Sequence, residues 1–167
     1  MTEIIADFRN DTYLGTPVVV ARLALALLLA AVLGIEREWR DRPAGLRTHI
    51  LVSLAAASAA LLTLEIVHMG EFQTDRARID PIRLVEAVTA GVAFLAAGFI
   101  VFSRGKVRGL TTGAGMWLAG VIGLAAGLGL WQIAVVATGL GFVVLALVRQ
   151  FETGTDLKDA DAPDDEA

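Results

Sequence analysis

The residues best suited to chemistry lie in a short polar segment, residues 34–47, between two long apolar runs. This segment contains seven charged side chains, four arginines and three carboxylates, with no lysine. The planar guanidinium fork of arginine suits bidentate binding of carboxylate or phosphate groups. The pattern fits a basic anchor at a membrane surface and equally a polar binding site, and both interpretations stay open.

A second polar loop, residues 103–112, carries three basic side chains and two threonines. The topology predicted below places this loop at the same membrane face as residues 34–47. Glu36 is the expected carboxylate partner of Arg47 and Arg108, which would hold the two loops together. The candidate inner-face polar site consists of Glu36, Arg37, Arg47, Thr48, Arg108, Thr111 and Thr112.

Ionisable residues also occur in the opposite halves of the predicted helices, where burial of a charge is costly and favours pairing inside the bundle. Arg22 with Glu65 and Arg83 with Glu86 are the expected pairs, and an entry path for a cation is the functional alternative. This candidate outer-half ionisable cluster consists of Arg22, Glu65, Asp80, Arg83 and Glu86. His49 and His68 are isolated in sequence, so no metal site is predicted.

Several function classes lack their usual signatures. The sequence has no phosphate-binding Gly-x-x-x-x-Gly-Lys-Ser/Thr motif, no His-Glu-x-x-His and no Gly-x-Ser-x-Gly. The absence of cysteine excludes disulfides, thiolate metal sites and cysteine catalysis. We therefore expect no enzymatic activity, no catalytic residue and no cofactor, and the membrane-bound basic clusters argue against nucleic-acid binding.

The composition is that of a helical bundle in a bilayer. The 167 residues are 56% hydrophobic with a mean hydropathy of +0.66, too apolar for an ordinary soluble domain. The expected fold is all-α with five transmembrane helices, near residues 16–34, 46–67, 81–102, 111–129 and 131–148. Thr111 or Thr112 is the expected N-cap of the fourth helix, and a short turn at residues 128–132 separates the last two.

Three regions follow from this pattern: an N-terminal periplasmic segment (residues 1–15), the transmembrane domain (16–150) and a disordered, acidic cytoplasmic tail (151–167). The first segment lacks the basic start of a cleaved signal peptide. Nine of the 14 Lys and Arg residues lie on one side if the N-terminus is outside and the C-terminus inside, and this bias predicts that orientation. Gly115, Ala119, Gly123 and Gly127 recur every four residues, which predicts close helix packing.

Four stretches carry a family resemblance: residues 34–52 (GIEREWRDRPAGLRTHILV), 80–83 (DPIR), 91–98 (GVAFLAAG) and 107–112 (VRGLTT), with Trp117 beyond. In order and spacing they resemble the MgtC/SapB family of bacterial inner-membrane proteins, over residues 22–149. The resemblance implies a five-helix domain in a bacterial plasma membrane. Its best-known members serve adaptation to low magnesium and survival inside macrophages, and are thought to regulate partners such as the F-type ATP synthase.

The chain departs from this family at two points. The best-known members have a soluble domain after the bundle, where this chain has only its acidic tail. Ala96 also replaces the first glycine of a family Phe-Leu-Gly-Ala-Gly motif.

The leading hypothesis is a non-enzymatic membrane regulator linked to Mg²⁺ or stress homeostasis that acts through a membrane-protein partner. The alternative is a small Mg²⁺ or other cation transporter or channel, and a purely structural bundle is a third reading. Besides the lipid bilayer, a homo-oligomer is compatible with the small-residue faces.

Overall fold

The computed structural model describes residues 12–39, 42–69, 80, 82–103 and 106–159, with the backbone alone for 101–103, 106, 108 and 148–159. Within these residues there are five helices: α1 (Thr16–Glu38), α2 (Leu46–His68), α3 (Ile82–Ala97), α4 (Leu110–Leu128) and α5 (Trp131–Asp159). A two-stranded antiparallel hairpin, β1 (Val101–Ser103) and β2 (Lys106–Arg108), connects α3 to α4. The predicted architecture of five helices is confirmed, and the hairpin is a regular element that the sequence reading did not include.

Three of these helices, α1, α2 and α4, are long and apolar enough to cross a membrane. Helix α3 has 16 residues, and the apolar part of α5, Trp131–Leu147, is also shorter than the other three. A perpendicular span of the hydrocarbon core takes about 20 residues. The length and composition of these three helices are therefore those of a membrane protein.

Helix α4 lies at the centre of the bundle, since 12 of its 19 residues are buried. The four small residues predicted to form its packing face, Gly115, Ala119, Gly123 and Gly127, are all among them. A methyl group added at Gly123 would collide with the backbone of Ser53, and one added at Gly127 would lie 2.5 Å from the carbonyl oxygen of Ala57. The predicted close packing is confirmed, and it brings the backbones of α2 and α4 together.

Helix α1 contributes a second small-residue face, because Ala26, Ala30 and Gly34 are all buried. The hydroxyl of Ser53 on α2 donates a hydrogen bond to the carbonyl of Ala26 at 3.0 Å. Such a bond is possible only where two helices approach closely, and it satisfies a hydroxyl that lipid would leave without a partner. Helices α1, α2 and α4 thus form one tightly packed unit.

Helix α3 ends at Ala97, five residues before the predicted end near residue 102. The amides of Gly98, Phe99 and Ile100 each donate to the carbonyl three residues earlier, at 3.2, 3.0 and 3.1 Å. This tightened turn leads into the hairpin, in which Val101 pairs with Arg108 and Ser103 with Lys106. Residues 101, 102 and 107 are valine, phenylalanine and valine, residue types that favour strands over a continued helix.

The boundaries of α4 and α5 also differ in part from expectation. Helix α4 begins at Leu110 after Gly109, which has a φ of 86°, so neither Thr111 nor Thr112 is its N-cap. The predicted turn after α4 is confirmed. Gly129 there has a φ of 85°, and the amides of Gly129 and Leu130 donate to Ala126 and Ala125 in a Schellman motif.

Helix α5 continues to Asp159, whereas the sequence reading placed disorder from residue 151. Extending a formed helix costs far less than nucleating one, and the apolar part of α5 supplies the nucleus. Residues 160–167 of the predicted tail and residues 1–11 of the N-terminal segment lie outside the described residues.

The bundle has two ends with different polar chemistry. The end where α1 and α3 finish and α2 and α4 begin is called the Glu36 end. Ala44, from the α1–α2 connection, packs there against Ala96 and Met116. The end where α1 begins and α4 turns into α5 is called the Arg22 end, since Arg22 contacts Gly127 there.

The contact between α2 and α4 predicts the effect of Gly127→Ala. The added methyl group would overlap Ala57, so we expect a loss of roughly 1–3 kcal/mol in the free energy of unfolding. Gly139→Ala is the matched control, because nothing lies within 4 Å of the added methyl group and alanine favours the helix. Unfolding of both purified variants in mixed detergent micelles measures this, and equal stability of the two would contradict the backbone contact.

Candidate functional site

An ion pair occupies the last turn of α1. Arg37 Nε lies 3.2 Å from Glu36 Oε2, and the two side chains are only 4% and 13% exposed. One turn earlier the backbones of α1 and α2 meet, because a methyl group added at Gly34 would lie 2.7 Å from the Cα atom of Leu46. This close crossing carries two charges into a largely buried position, where they stabilise each other at the cost of their hydration.

His49 is fully buried beside this ion pair and is the side chain that the sequence reading missed. Its Nδ1 lies 2.9 Å from the carbonyl oxygen of Gly45, which can only accept, so Nδ1 donates, and in the neutral ring Nε2 is then an acceptor. Within the described part of the chain, Nε2 has no hydrogen-bond partner. It faces α4, where a methyl group at Gly115 would be 3.1 Å away. Both Glu36 and Arg37 act electrostatically on the ring.

Glu38 connects α1 to the start of α2. Its Oε2 accepts a hydrogen bond from the backbone amide of Leu46 at 2.9 Å, which satisfies one of the free amides of the first turn of α2. Gly45 makes this possible, since any side chain at that position would occupy the space of the Glu38 carboxylate. The carboxylate and the glycine thus set the angle of the α1–α2 connection and hold His49 in place one turn further on.

The predicted inner-face residues divide into buried and exposed groups. Arg37 and Thr112 are buried, Glu36 and Thr48 are half-buried, and Arg47 and Thr111 are exposed. Arg108 belongs to β2 by its backbone, and its side chain is not described. The ion pair of Glu36 and Arg37, together with His49, defines the candidate site.

The predicted pairing of Glu36 with Arg47 is wrong, since Glu36 pairs with Arg37 and Arg47 is exposed. The reason is helical geometry. His49 points into the bundle, and a residue two positions earlier lies about 200° away around the helix. Arg47 therefore faces outward.

The outer-half residues do not form one cluster. Arg22 donates to the carbonyl of Gly127 at 2.8 Å, and Glu65 accepts from the backbone amides of Tyr13 at 2.7 Å and Leu14 at 3.2 Å. Between described residues, neither the Arg22–Glu65 nor the Arg83–Glu86 pair forms, and both Arg83 and Glu86 are exposed. Backbone groups left open at helix ends compete successfully for these side chains.

Asp80 has the same kind of role, since its Oδ1 accepts from the amide of Ile82 at 3.0 Å at the start of α3. No group of three or more potential metal ligands occurs among the residues that the structure describes. Arg22, Glu65 and Asp80 therefore bind backbone groups at this end, whereas Arg83 and Glu86 are exposed.

The signal for His49 was present in the sequence but is weak. His49 and Ser53 are four residues apart, so they share one face of α2 with Ala56, Ala57 and Ala60, and all of them are buried. A polar residue within a face of small residues indicates a close helix contact. Nothing in the spacing shows which helix supplies that contact, which is why the histidine looked isolated.

These features define a helical membrane protein with a buried Glu–Arg–His cluster at one end of its bundle. The model of the MgtC family matches residues 23–153, and the chain belongs to this family.

Among its curated relatives, protein MgtC of Salmonella typhimurium is 36% identical, over 62% of this chain and 41% of its own length. Protein SapB of Bacillus subtilis is 32% identical, over 75% and 49%. The putative magnesium transporter YhiD of Escherichia coli (strain K12) is 34% identical, over 62% and 48%. The chain thus spans about half the length of the curated relatives it matches. No solved structure matches it.

The burial of the ion pair predicts the effect of Arg37→Leu. Removing the guanidinium leaves the Glu36 carboxylate buried without this cation, and we expect a loss of about 3–5 kcal/mol in the free energy of unfolding. Adding Glu36→Gln to the same chain should restore much of that loss, because the side chain that lost the guanidinium is then neutral.

Arg47→Leu is the matched control, since it removes an exposed arginine from the same end and should change stability little. Detergent unfolding of the four proteins measures the series. A double variant no more stable than Arg37→Leu would contradict a direct dependence of the two side chains on each other.

Proposed function

We propose that the protein is a non-enzymatic regulator in the plasma membrane of a bacterium, where it serves adaptation to limiting Mg²⁺ through a membrane-protein partner. Membership of the MgtC family supports the setting, and the name of one relative, putative magnesium transporter, supports the link to magnesium. The family match covers residues 23–153, so the proposal concerns the membrane domain that these residues form.

The proposed topology has five spans, with the N-terminus outside and the Glu36 end in the cytoplasm. The distribution of Lys and Arg supports this orientation, because the segments around 37–47 and 104–108 hold seven of the 14 basic residues. Trp39 fits the headgroup level at this end, since its side chain is 84% exposed just beyond the apolar part of α1. Helices α3 and α5 would complete the five spans.

The observation that carries the regulatory proposal is the close packing around the buried polar cluster. His49 lies against Gly115, α1 meets α2 at Gly34, and α2 meets α4 at Gly123 and Gly127. Helix backbones in contact leave no space between them for a hydrated cation. The cluster therefore fits a regulatory role, in which it fixes the shape of one end of the bundle.

The exposed residues above that cluster would form the partner surface. Trp39 and Arg47 are both exposed at the Glu36 end, on either side of the α1–α2 connection that Glu38 and Gly45 fix. Tryptophan and arginine are the residue types that most often dominate binding energy at protein interfaces. The hydrogen bond from the Leu46 amide to Glu38 ties the end of α1 to the start of α2, and such pre-organisation lowers the entropic cost of binding.

Site-specific photocrosslinking tests the partner surface. A crosslinking amino acid at position 39, in cells grown at limiting Mg²⁺, should capture a discrete membrane protein. Arg47→Ala in the same chain should reduce that product about tenfold, as expected for a lost charge-assisted contact. Arg83→Ala is the matched control, because it removes an exposed arginine at the Arg22 end. Recovery of self-crosslinks alone, or equal loss with both variants, would overturn the proposal.

A small cation transporter is the second candidate function. The largely buried Glu36 carboxylate and the name given to YhiD favour it, since a carboxylate within the bundle is a plausible cation ligand. A transporter would need the helices to separate at their glycine contacts.

Proteoliposomes with an enclosed Mg²⁺ indicator distinguish the two candidates. We expect no influx above that of empty vesicles, because the α2–α4 contact closes the bundle. Wild-type influx that Glu36→Gln abolishes and Glu86→Gln preserves would overturn the regulatory proposal in favour of transport. Glu86 is the matched control because its side chain is exposed on α3.

A further inference from the structure

An open groove of about 510 Å³ lies at the Arg22 end, between α1 and the turn that joins α4 to α5. Its walls are apolar. Pro17, Val18, Ala21 and Leu25 line one side, and Ala126 and Trp131 line the other. Among the residues that the structure describes, Arg22 is the one charged residue that lines it.

Arg22 has an incomplete set of partners in this groove. One of its terminal nitrogens donates to the carbonyl of Gly127 at 2.8 Å. In the part of the chain that the structure describes, no carboxylate lies within ion-pair distance of the guanidinium. Arginine carries five N–H donors, so a single neutral carbonyl leaves both its charge and most of its donors to be satisfied by something else.

The turn after α4 holds this guanidinium in place. A methyl group at Gly129 would lie 2.6 Å from an Arg22 terminal nitrogen, so the guanidinium packs directly on the glycine. Gly127 lies in the last turn of α4, where the carbonyl end of the helix carries a partial negative charge. That partial charge explains why an arginine is tolerated here, but it does not neutralise a full positive charge at the level of a membrane.

We propose that this groove binds one anionic phospholipid, with its phosphate on the Arg22 guanidinium and an acyl chain against the apolar wall of α1. The charge complementarity selects the phosphate, because guanidinium binds phosphate oxygens through two parallel hydrogen bonds. The apolar walls select a ligand with a hydrocarbon chain over a soluble anion. Trp131, which lines the groove and is 55% exposed, fits the headgroup level of the bilayer.

Native mass spectrometry of the full chain, purified in detergent, tests this site with two probes of equal chain composition. Dioleoyl phosphatidylglycerol should remain bound as a single copy, with an affinity about tenfold above that of dioleoyl phosphatidylcholine. Arg22→Gln should abolish the preference. Arg83→Gln, which removes an exposed arginine from the same end but outside the groove, should keep it.

A second variant keeps the test independent of the fold of the Arg22 variant. Ala21 is exposed and lines the groove, so Ala21→Trp should block the acyl chain and lower retention of phosphatidylglycerol without disturbing the buried core. Equal retention of both lipids by the wild type would overturn the site, since it would show general contact with lipid. Displacement of the lipid by glycerol 3-phosphate at similar concentration would also overturn it, because the acyl chain would then contribute nothing.

Discussion

Contact between the backbones of α2 and α4 is the constraint on which the rest of the fold depends. In lipid, helices gain little from burying apolar surface against each other, so association relies on close packing and interhelical hydrogen bonds. Glycine at 123 and 127 lets α4 approach α2 directly. Because α2 and α4 are so close, His49 can lie against Gly115, and α1 approaches α2 closely enough for Ser53 to reach Ala26. The buried polar cluster is thus a consequence of how near the helices come.

Most of the helices, and the packing face of α4, could be predicted from the sequence for a physical reason. Apolar runs of membrane length define helices almost directly, and small residues at four-residue spacing revealed the face of α4 that packs. Prediction from the sequence was weaker where alternative local backbone conformations, such as helix, turn and strand, compete over a few residues. The end of α3 and the hairpin depend on a tightened turn and a strand pairing that hydropathy does not report. The N-cap of α4 is likewise Gly109, although two threonines, the residue type expected there, follow at 111 and 112.

Only part of the candidate site could be predicted from the sequence. Charge content drew attention to residues 34–47, and Glu36 and Arg37 are indeed in the buried cluster. The predicted ion pairs were wrong, because a polar side chain in a bundle can bind backbone groups of other segments, and no sequence pattern shows where those groups lie. Glu65 satisfies the amides before α1, and Glu38 satisfies the start of α2. His49 was missed since its neighbour Gly115 is 66 residues away and carries no side chain to suggest a contact.

The composition of α4 also bears on how the protein is made. A helix rich in glycine offers lipid less apolar surface than α1 or α2, so it gains less by entering the bilayer alone, yet it becomes the most buried of the three. Its favourable position depends on surfaces that α1 and α2 provide. Those helices precede it in the chain and reach the membrane first during synthesis. The helix that depends most on its neighbours, α4, is therefore synthesised after α1 and α2, the helices on which it depends.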